Sequence, residues 1–555
     1  MSPASRKPNF LIILSDQERR PMHWPEGWAE ANLPNMQRLK AHGLDFSRHF
    51  TASTMCSPSR AALFTGLFPT EAGVPQTLDN AGQATGAAVQ PPLPATTQNL
   101  ARVLQTAGYE VFYKGKMHLT YPVHYDTEQG IHWWTEADNE QMEARWGFKG
   151  WTQPDVAQTN LQGLGGGNTD NDGRTVHGGG LVQAQGSIDL VAAPQPASQL
   201  QSVRHFLRSH RGDTPFCLVV SLVNPHDIYA FPGTGLVGQG DEVPLWEKAG
   251  FRKEDFMDLP IELPETWEED LATKPLVQAS VRSLLATGLG PLLTEEDRLL
   301  YVRFYAYLHT VVDGLIGEVL DELDAAGLTE DTVIVRTSDH GELGLAHGGL
   351  RQKMGNAYEE LIAVPLVISN PGLFPEPVRT EALSSAVDIL PTLAELAGVG
   401  CDSRWTFRGH SLVPLLNDPQ CTVQDAVHFT YDDLLENYPL KRPGMIRCIR
   451  ETRWKYAVYF DPFNGYACQY ELYDLEGDPL EIRNLILGRY ATPETRLQRQ
   501  RLHQALLQQM NEKQTWPERV AFPEVSGVEP LASQQPTMVE PEVVENWQGS
   551  MSAMG

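Results

Sequence analysis

Five short, nearly continuous apolar runs recur along this 555-residue chain, and they restrict its fold more than any other feature. They are Phe10–Ser15, Glu110–Tyr113, Phe216–Val223, Thr332–Thr337 and Val364–Ser369. A run with no polar alternation reads as a strand buried on both faces of a sheet. Helical patterns lie between the runs, over Thr97–Ala107, Gln199–Arg208, Glu296–Ala326 and Ala386–Ala397. Strands alternating with helices predict an α/β fold: a large mixed, mostly parallel sheet with helices on both faces. The length is enough for two domains, or for one large domain with an appendage. From about His428 the pattern changes. Alternating runs such as Met445–Arg450 and Trp454–Phe460, then a helical stretch Thr495–Asn511, predict a small antiparallel sheet with a helix. After Gln514 the chain is rich in Pro, Glu and Gln and loses periodicity. The expected division is therefore a large α/β domain over 1–424, a sheet-plus-helix subdomain over 425–513, and a tail over 514–555. Two readings of the tail stay open. It is disordered, or its Trp516, Phe522 and Trp547 lie across a neighbouring subunit of a homo-oligomer.

Composition excludes several function classes. The net charge is −27 and no long basic run occurs, which argues against nucleic acid as a partner. It leaves the substrate's charge open, since an acidic protein can focus positive charge in one cleft. The six cysteines, Cys56, Cys217, Cys401, Cys421, Cys448 and Cys468, form no C-x-x-C pair, so neither a zinc site nor a disulfide framework is expected. The first apolar run is too short for a secretory leader and no run is long enough to span a bilayer. A cytoplasmic protein with no membrane partner is the expectation.

The residues just beyond four of these strands carry chemistry. Phe10–Ser15 leads into Asp16-Gln17, and Glu110–Tyr113 into Lys114-Gly-Lys116-Met-His118. Phe216–Val223 leads into Asn224-Pro-His226-Asp227, and Thr332–Thr337 into Ser338-Asp339-His340-Gly341. Ligands of open α/β sheets bind at the carboxyl ends of the strands. Each group alone has a structural explanation, as a turn cap or a solvated loop charge. Four strands delivering Asp, Lys, His and Asp-His to one edge point to one site.

A further stretch, Thr51-Ala-Ser-Thr-Met-Cys56-Ser-Pro-Ser-Arg60-Ala-Ala-Leu-Phe-Thr-Gly66, reads as a short helix. Ser57 is the expected N-cap, Pro58 the first helical residue and Gly66 the stop. Cys56 then sits just outside a helix N-terminus, a place to hold an anion, with Arg60 one turn in. The pattern Cys56-x-Pro58-Ser59-Arg60 with Thr65-Gly66 resembles the signature of the sulfatase family, which belongs to the alkaline phosphatase superfamily. The resemblance runs over roughly residues 9 to 485. It takes in Asn9–Gln17, Gly115-Lys116-Met117-His118, Asn224-Pro-His226, Ser338-Asp339-His340-Gly341-Glu342, Gly349-Leu-Arg-Gln-Lys353, Gly409–Leu416 and Glu471–Leu475 with Asp478-Pro479 and Asn484-Leu485.

The resemblance implies a fold, an activity and a site. The fold is alkaline phosphatase/sulfatase-like. The activity is metal-dependent hydrolysis of a sulfate ester. Cys56 is matured by a formylglycine-generating enzyme, and its hydrated aldehyde is the nucleophile. Asp16, Gln17, Asp339 and His340, with Cys56, hold one divalent metal. Arg60, Lys116 and Lys353 stabilise the ester oxygens, His226 with Lys353 protonates the departing alcohol, and His118 takes the remaining proton of the hydrate. Many members have Asp-Asp and Asp-Asn where this chain has Asp16-Gln17 and Asp339-His340. That variant resembles choline sulfatases and phosphonate monoester hydrolases. Calcium is the expected ion, with manganese or magnesium as alternatives, because an imidazole joins the oxygen donors. A phosphonate monoester or phosphodiester hydrolase with the same machinery is the alternative, since these esters also carry one negative charge. A thiolate phosphatase is disfavoured, because its Cys-x5-Arg spacing is absent. The partner is a small anionic ester whose alcohol the sequence does not specify.

Two segments outside these motifs have two readings each. Trp133, Trp134, Trp146 and Trp151, with Glu136, Asp138 and Glu140, either shape a pocket for a cationic group or, the favoured reading, pack a long loop onto its domain. The glycine-rich run Gly163–Gly180 is no nucleotide loop, lacking the flanking strand and helix. It reads as a flexible connection, with a mobile flap near the site as the second reading.

Overall fold

The computed structural model describes residues 7–78, 90–121, 123–126, 131–133, 136–151, 155, 168–169, 175–176, 203–210, 212–235, 243–248, 251–433, 443–463 and 465–517. Its main sheet has seven strands: β1 (Asn9–Asp16), β2 (Gly43–Phe46), β3 (Glu110–Gly115), β4 (Phe216–Pro225), β5 (Thr332–Ser338), β6 (Leu366–Ser369) and β7 (Val378–Thr380). Their order across the sheet is β7-β2-β6-β5-β1-β4-β3, and only β6 runs against the others. All five apolar runs are strands of this sheet. β2 and β7 were not expected, and β6 begins two residues later than the apolar run that marks it.

The reason β1 is apolar throughout is visible in its two faces. Phe10, Ile12 and Leu14 point into a core with Phe64 of α1 (Cys56–Thr65), Val103 of α2 (Leu100–Gln105) and Leu390 of α5 (Ile389–Leu396). Leu11 and Ile13 enter a second core on the opposite face. There they meet Leu207 of α3 (Val203–Ser209) and Val312, Ile316 and Val319 of α4 (Glu295–Ala325). A central strand with both faces covered has no polar alternation to show. α4 is started by a capping box in which Thr294 and Asp297 exchange hydrogen bonds at 3.1 and 2.9 Å.

A separate antiparallel sheet comes next, β8-β9-β10-β11, built from β8 (Ala426–Tyr431), β9 (Met445–Glu451), β10 (Trp454–Phe460) and β11 (Gln469–Asp474). One face receives Leu502, Leu506 and Met510 of α6 (Pro493–Glu512). The other packs Phe429, Ile446 and Tyr459 against Phe50, Val281 and Leu361. Thr515, one residue into the expected tail, is buried on this sheet, where its carbonyl accepts from Arg447 Nε at 2.7 Å. The rest of the tail from 518 onward, and with it any contact to another subunit, lies outside the described residues.

Trp146 and Trp151 are buried and donate from Nε1 to the carbonyls of Leu93 and Gly115 at 3.1 and 3.0 Å. They pack the loop onto the domain, in line with the favoured reading. Trp134 and the side chains of Trp133 and Glu136 lie outside the described residues. Within 163–180, residues 168–169 pair with 175–176, and the rest is likewise outside. Among the described residues no helix is long and apolar enough to cross a membrane.

Candidate active site

The carboxyl ends of β1, β3, β4 and β5 meet α1 at one buried cluster. β1 delivers Asp16 as its last residue, and Gln17 follows in a left-handed conformation (φ 66°). β3 leads to Lys116 and His118, β4 to His226, and β5 to Asp339 and His340. Cys56 opens α1, and Lys353 arrives on the loop after β5. All ten side chains predicted from the sequence come together here and are buried.

The start of α1 differs from expectation. The helix begins at Cys56 itself, capped by Met55 with φ 68°, and Ser59 N closes the first turn on the Met55 carbonyl at 3.2 Å. Ser57 is therefore inside the helix, and its hydroxyl accepts from Leu78 N at 3.1 Å. The positive φ at Met55 lets the helix start two residues early and holds Cys56 in the first turn, among the charges. Gly66 ends the helix in the left-handed conformation, as predicted.

The Cys56 sulfur is the centre of the cluster. Lys353 Nζ lies 3.0 Å from Sγ, His340 Nε2 3.5 Å and Asp16 Oδ1 3.7 Å. Burial alone would raise this thiol. Lys116 and Lys353, with contacts to His118 and His226, outweigh it and hold the thiol well below its usual range. Burial also opposes ionisation of Asp16, but an ion pair with Lys116 and the nearness of Lys353 keep its carboxyl well below the ordinary value. Burial and the Asp16 charge push Asp339 upward. Burial and Lys353 push His226 down to about 4, so its imidazole is neutral at neutral pH.

Arg60 departs from the sequence reading. Its guanidinium does not stand free toward a substrate. Nε donates to Asp339 Oδ2 at 2.9 Å, and NH2 to Asp16 Oδ2 at 3.1 Å. NH1 donates to the Lys116 carbonyl at 2.7 Å and to Ser221 Oγ at 2.9 Å. Four of its five N–H groups are thereby committed inside the protein. Arg60 is a strut between the two carboxylates.

The donor set suits a divalent cation. Ligand atoms from Asp16, Cys56, Asp339 and His340 all lie within 4.8 Å of one another. His340 Nδ1 stands 3.0 Å from the Gly341 carbonyl, so Nδ1 carries the proton and the Nε2 lone pair faces the carboxylates, 3.7 Å from Asp16 and 3.6 Å from Asp339. The Gln17 amide oxygen reaches the same space, 2.9 Å from Lys353 Nζ. Two carboxylates, an imidazole and an amide oxygen match calcium, magnesium or manganese chemistry.

Some residues that build the site carried no sequence signal. Asp155 accepts the backbone N–H groups of Met117 and His118 at 2.9 and 2.6 Å and so fixes the left-handed His118 (φ 55°). It falls in a stretch without periodicity. Ser221, which holds Arg60, was legible only as a lone hydroxyl inside an apolar run.

Two family models match this chain: "Sulfatase" over residues 8–399, and "N-sulphoglucosamine sulphohydrolase, C-terminal" over residues 349–513. The choline-sulfatase of Rhizobium meliloti (strain 1021) is 30% identical over 494 residues, covering 86% of this chain and 82% of that protein. The N-acetylglucosamine-6-O-sulfatase of Bacteroides thetaiotaomicron is 23% identical over 526 residues, covering 87% and 83%. Among solved structures, the phosphonate monoester hydrolase of Agrobacterium radiobacter matches with a TM-score of 0.60 at 24% identity, covering 91% of this chain and 96% of that one. This last is a likeness of fold.

Proposed function

This chain belongs to the sulfatase family, with its alkaline phosphatase-like fold, and from that premise we propose that it hydrolyses a small sulfate ester through a formylglycine made from Cys56 and one divalent metal. The observation that carries the proposal is the convergence of Lys353 Nζ, His340 Nε2 and Asp16 Oδ1 on the Cys56 sulfur, at 3.0, 3.5 and 3.7 Å.

Asp16, Gln17, Asp339 and His340 would hold the ion, calcium first and manganese or magnesium next. Bound there, it supplies positive charge against the ester oxygens. Formylglycine, as its hydrate, supplies a hydroxyl nucleophile where the thiol now lies. The chain's own residues do the rest. Arg60 clamps Asp16 and Asp339 at fixed separation. Lys116 offsets the Asp16 charge. Lys353 sets an ammonium beside the nucleophile position, where it stabilises charge on the ester and hands a proton to the departing alcohol, with the neutral imidazole of His226 beside it. His118 Nε2 lies 3.1 Å from the Leu78 carbonyl and donates to it. Its Nδ1 is then left with a bare lone pair, and the ring's contact with Cys56 suits a base that accepts the proton of the nucleophile.

The test is mass spectrometry of the tryptic peptide His49–Arg60, from protein made in its own host. The expected result is replacement of the thiol by an aldehyde or its hydrate. A panel of sulfate, phosphonate and phosphodiester substrates, choline sulfate among them, then assigns the ester. Turnover of sulfate esters well above the others is expected, and the reverse order overturns the sulfate assignment. An intact cysteine in active protein overturns the nucleophile assignment. We further propose a cytoplasmic location, supported by six unpaired cysteines.

A further inference from the structure

We infer that Glu342 is a positioning residue that fixes the side-chain amide of Gln17, so that its oxygen and not its nitrogen faces the donor cluster. The inference rests on the proposed metal reading. A glutamine amide has two ends of nearly the same shape, and only the oxygen can ligate a cation. An aspartate or glutamate at position 17 would need no such orientation. This chain has the amide, and something must select its rotamer.

The selection is visible in the hydrogen bonds. Gln17 Nε2 donates to Glu342 Oε2 at 2.5 Å and to Gln352 Oε1 at 3.1 Å, so both its hydrogens meet acceptors. The amide oxygen is left to face Lys353 Nζ at 2.9 Å, and that ammonium stands 3.0 Å from the Cys56 sulfur. The backbone of Gln17 is held independently, its N–H donating to Asp339 Oδ1 at 3.1 Å. Amide rotation is thus the freedom left to fix. A reversed amide would set its oxygen against the Glu342 carboxylate and its NH2 against the Lys353 ammonium, unfavourable at both ends.

Glu342 is itself anchored. It is fully buried, and its Oε1 accepts from Tyr301 Oη at 2.8 Å, Gln352 N at 2.9 Å and Gly344 N at 3.1 Å. Each of these partners is a donor, as is the Gln17 amide, so the group acts as a carboxylate that only accepts. Tyr301 comes from α4, which ties the amide to the longest helix of the fold.

The experiment titrates Ca2+ and Mn2+ calorimetrically into protein freed of metal by a chelator. Wild type is compared with Q17A, E342Q, Q17E and the exchanged pair Q17E/E342Q. In E342Q the introduced amide presents NH2 to Gln17, which turns its nitrogen toward the ion. A loss of affinity of roughly 10- to 100-fold is expected, the range for partners that orient metal ligands. In the exchanged pair the carboxylate at 17 accepts from the amide at 342, and affinity returns to wild type or above. The same substitution at 342 is therefore harmful beside glutamine and harmless beside glutamate, which a merely structural role would not produce. Folded E342Q with wild-type affinity, while Q17A is weakened, overturns this inference alone. Wild type and Q17A binding equally, or wild type binding neither ion, overturns the metal reading and the inference with it. Should E342Q not fold, the exchanged pair decides. Wild-type affinity supports the inference, and an unfolded or non-binding pair overturns it.

Discussion

His347 lies on the loop between the Asp339-His340 turn and Lys353, and it should make the whole protein's stability depend on pH. Its ring is fully buried, with Nδ1 2.7 Å from Glu269 Oε2 and Nε2 3.3 Å from Glu360 Oε2. The ring stacks on Tyr358 with centroids 3.5 Å apart. Burial alone would lower this histidine, but Glu360 and Glu269 reverse that and raise it to about 9 from an ordinary 6.5. The folded state keeps a proton that the unfolded chain releases. The resulting stabilisation is fully present below about pH 6.5 and is lost as pH rises through about 9. An interval of about 2.5 pH units corresponds to roughly 3 kcal/mol. The perturbation is H347Q, which is neutral at every pH. Urea unfolding would be followed by tryptophan fluorescence for both proteins, at about pH 6 and about pH 10. Wild type should exceed the variant by roughly 3 kcal/mol more at the lower pH than at the higher. Glu481, which burial raises to about 7 against the pull of Lys455, also titrates, but it does so in both proteins and cancels in the comparison. An equal gap at the two pH values would refute the assignment of an imidazolium between two carboxylates.

Three further outcomes are expected. C56A should lower kcat/KM on a sulfate ester at least about 1,000-fold, some 4 kcal/mol of barrier, while the melting temperature stays close to wild type. R60K should cost about 3 kcal/mol in a denaturant melt, because a lysine cannot bridge the fully buried Asp16 and Asp339 as the guanidinium does. G341A should cost about 1–3 kcal/mol, since a Cβ there overlaps the Glu360 carbonyl oxygen and presses on Arg19 Cβ at 3.0 Å. A variant as stable as wild type would remove that close approach as the reason for glycine beside His340.

The sheet was legible wherever both faces of a strand are covered, as in β1 and β4, where no polar residue interrupts the apolar stretch for long. β2 and β7 escaped notice because they are four and three residues long, and β7 is half-exposed, so neither periodicity nor composition marks them. Most of the site residues were legible because each lies just past a strand that could be recognised. Their roles were less so. Arg60 looked like a free anion binder, and only the fold brings Asp16 and Asp339 to either side of it. The early start of α1 hangs on one positive φ at Met55, a residue type that carries no turn signal. Asp155 and Glu342 act through backbone and amide hydrogens of other residues, so their importance is set by tertiary placement.

β1 lies inside the main sheet, between β5 and β4. Asn9 and Phe216, hydrogen-bonded neighbours on β1 and β4, are 207 residues apart, and Gln17 and Asp339 are 322 apart. At roughly 5–20 residues per second of synthesis, β1 emerges from the ribosome about 10–40 s before its nearest partner exists. Through that interval eight residues of strand, apolar on both faces, have two open edges and no sheet to join. The order of translation leaves a strand that is buried at every position in the finished protein exposed through that interval. Chaperone dependence and aggregation on overexpression should accordingly track the N-terminal portion of the chain.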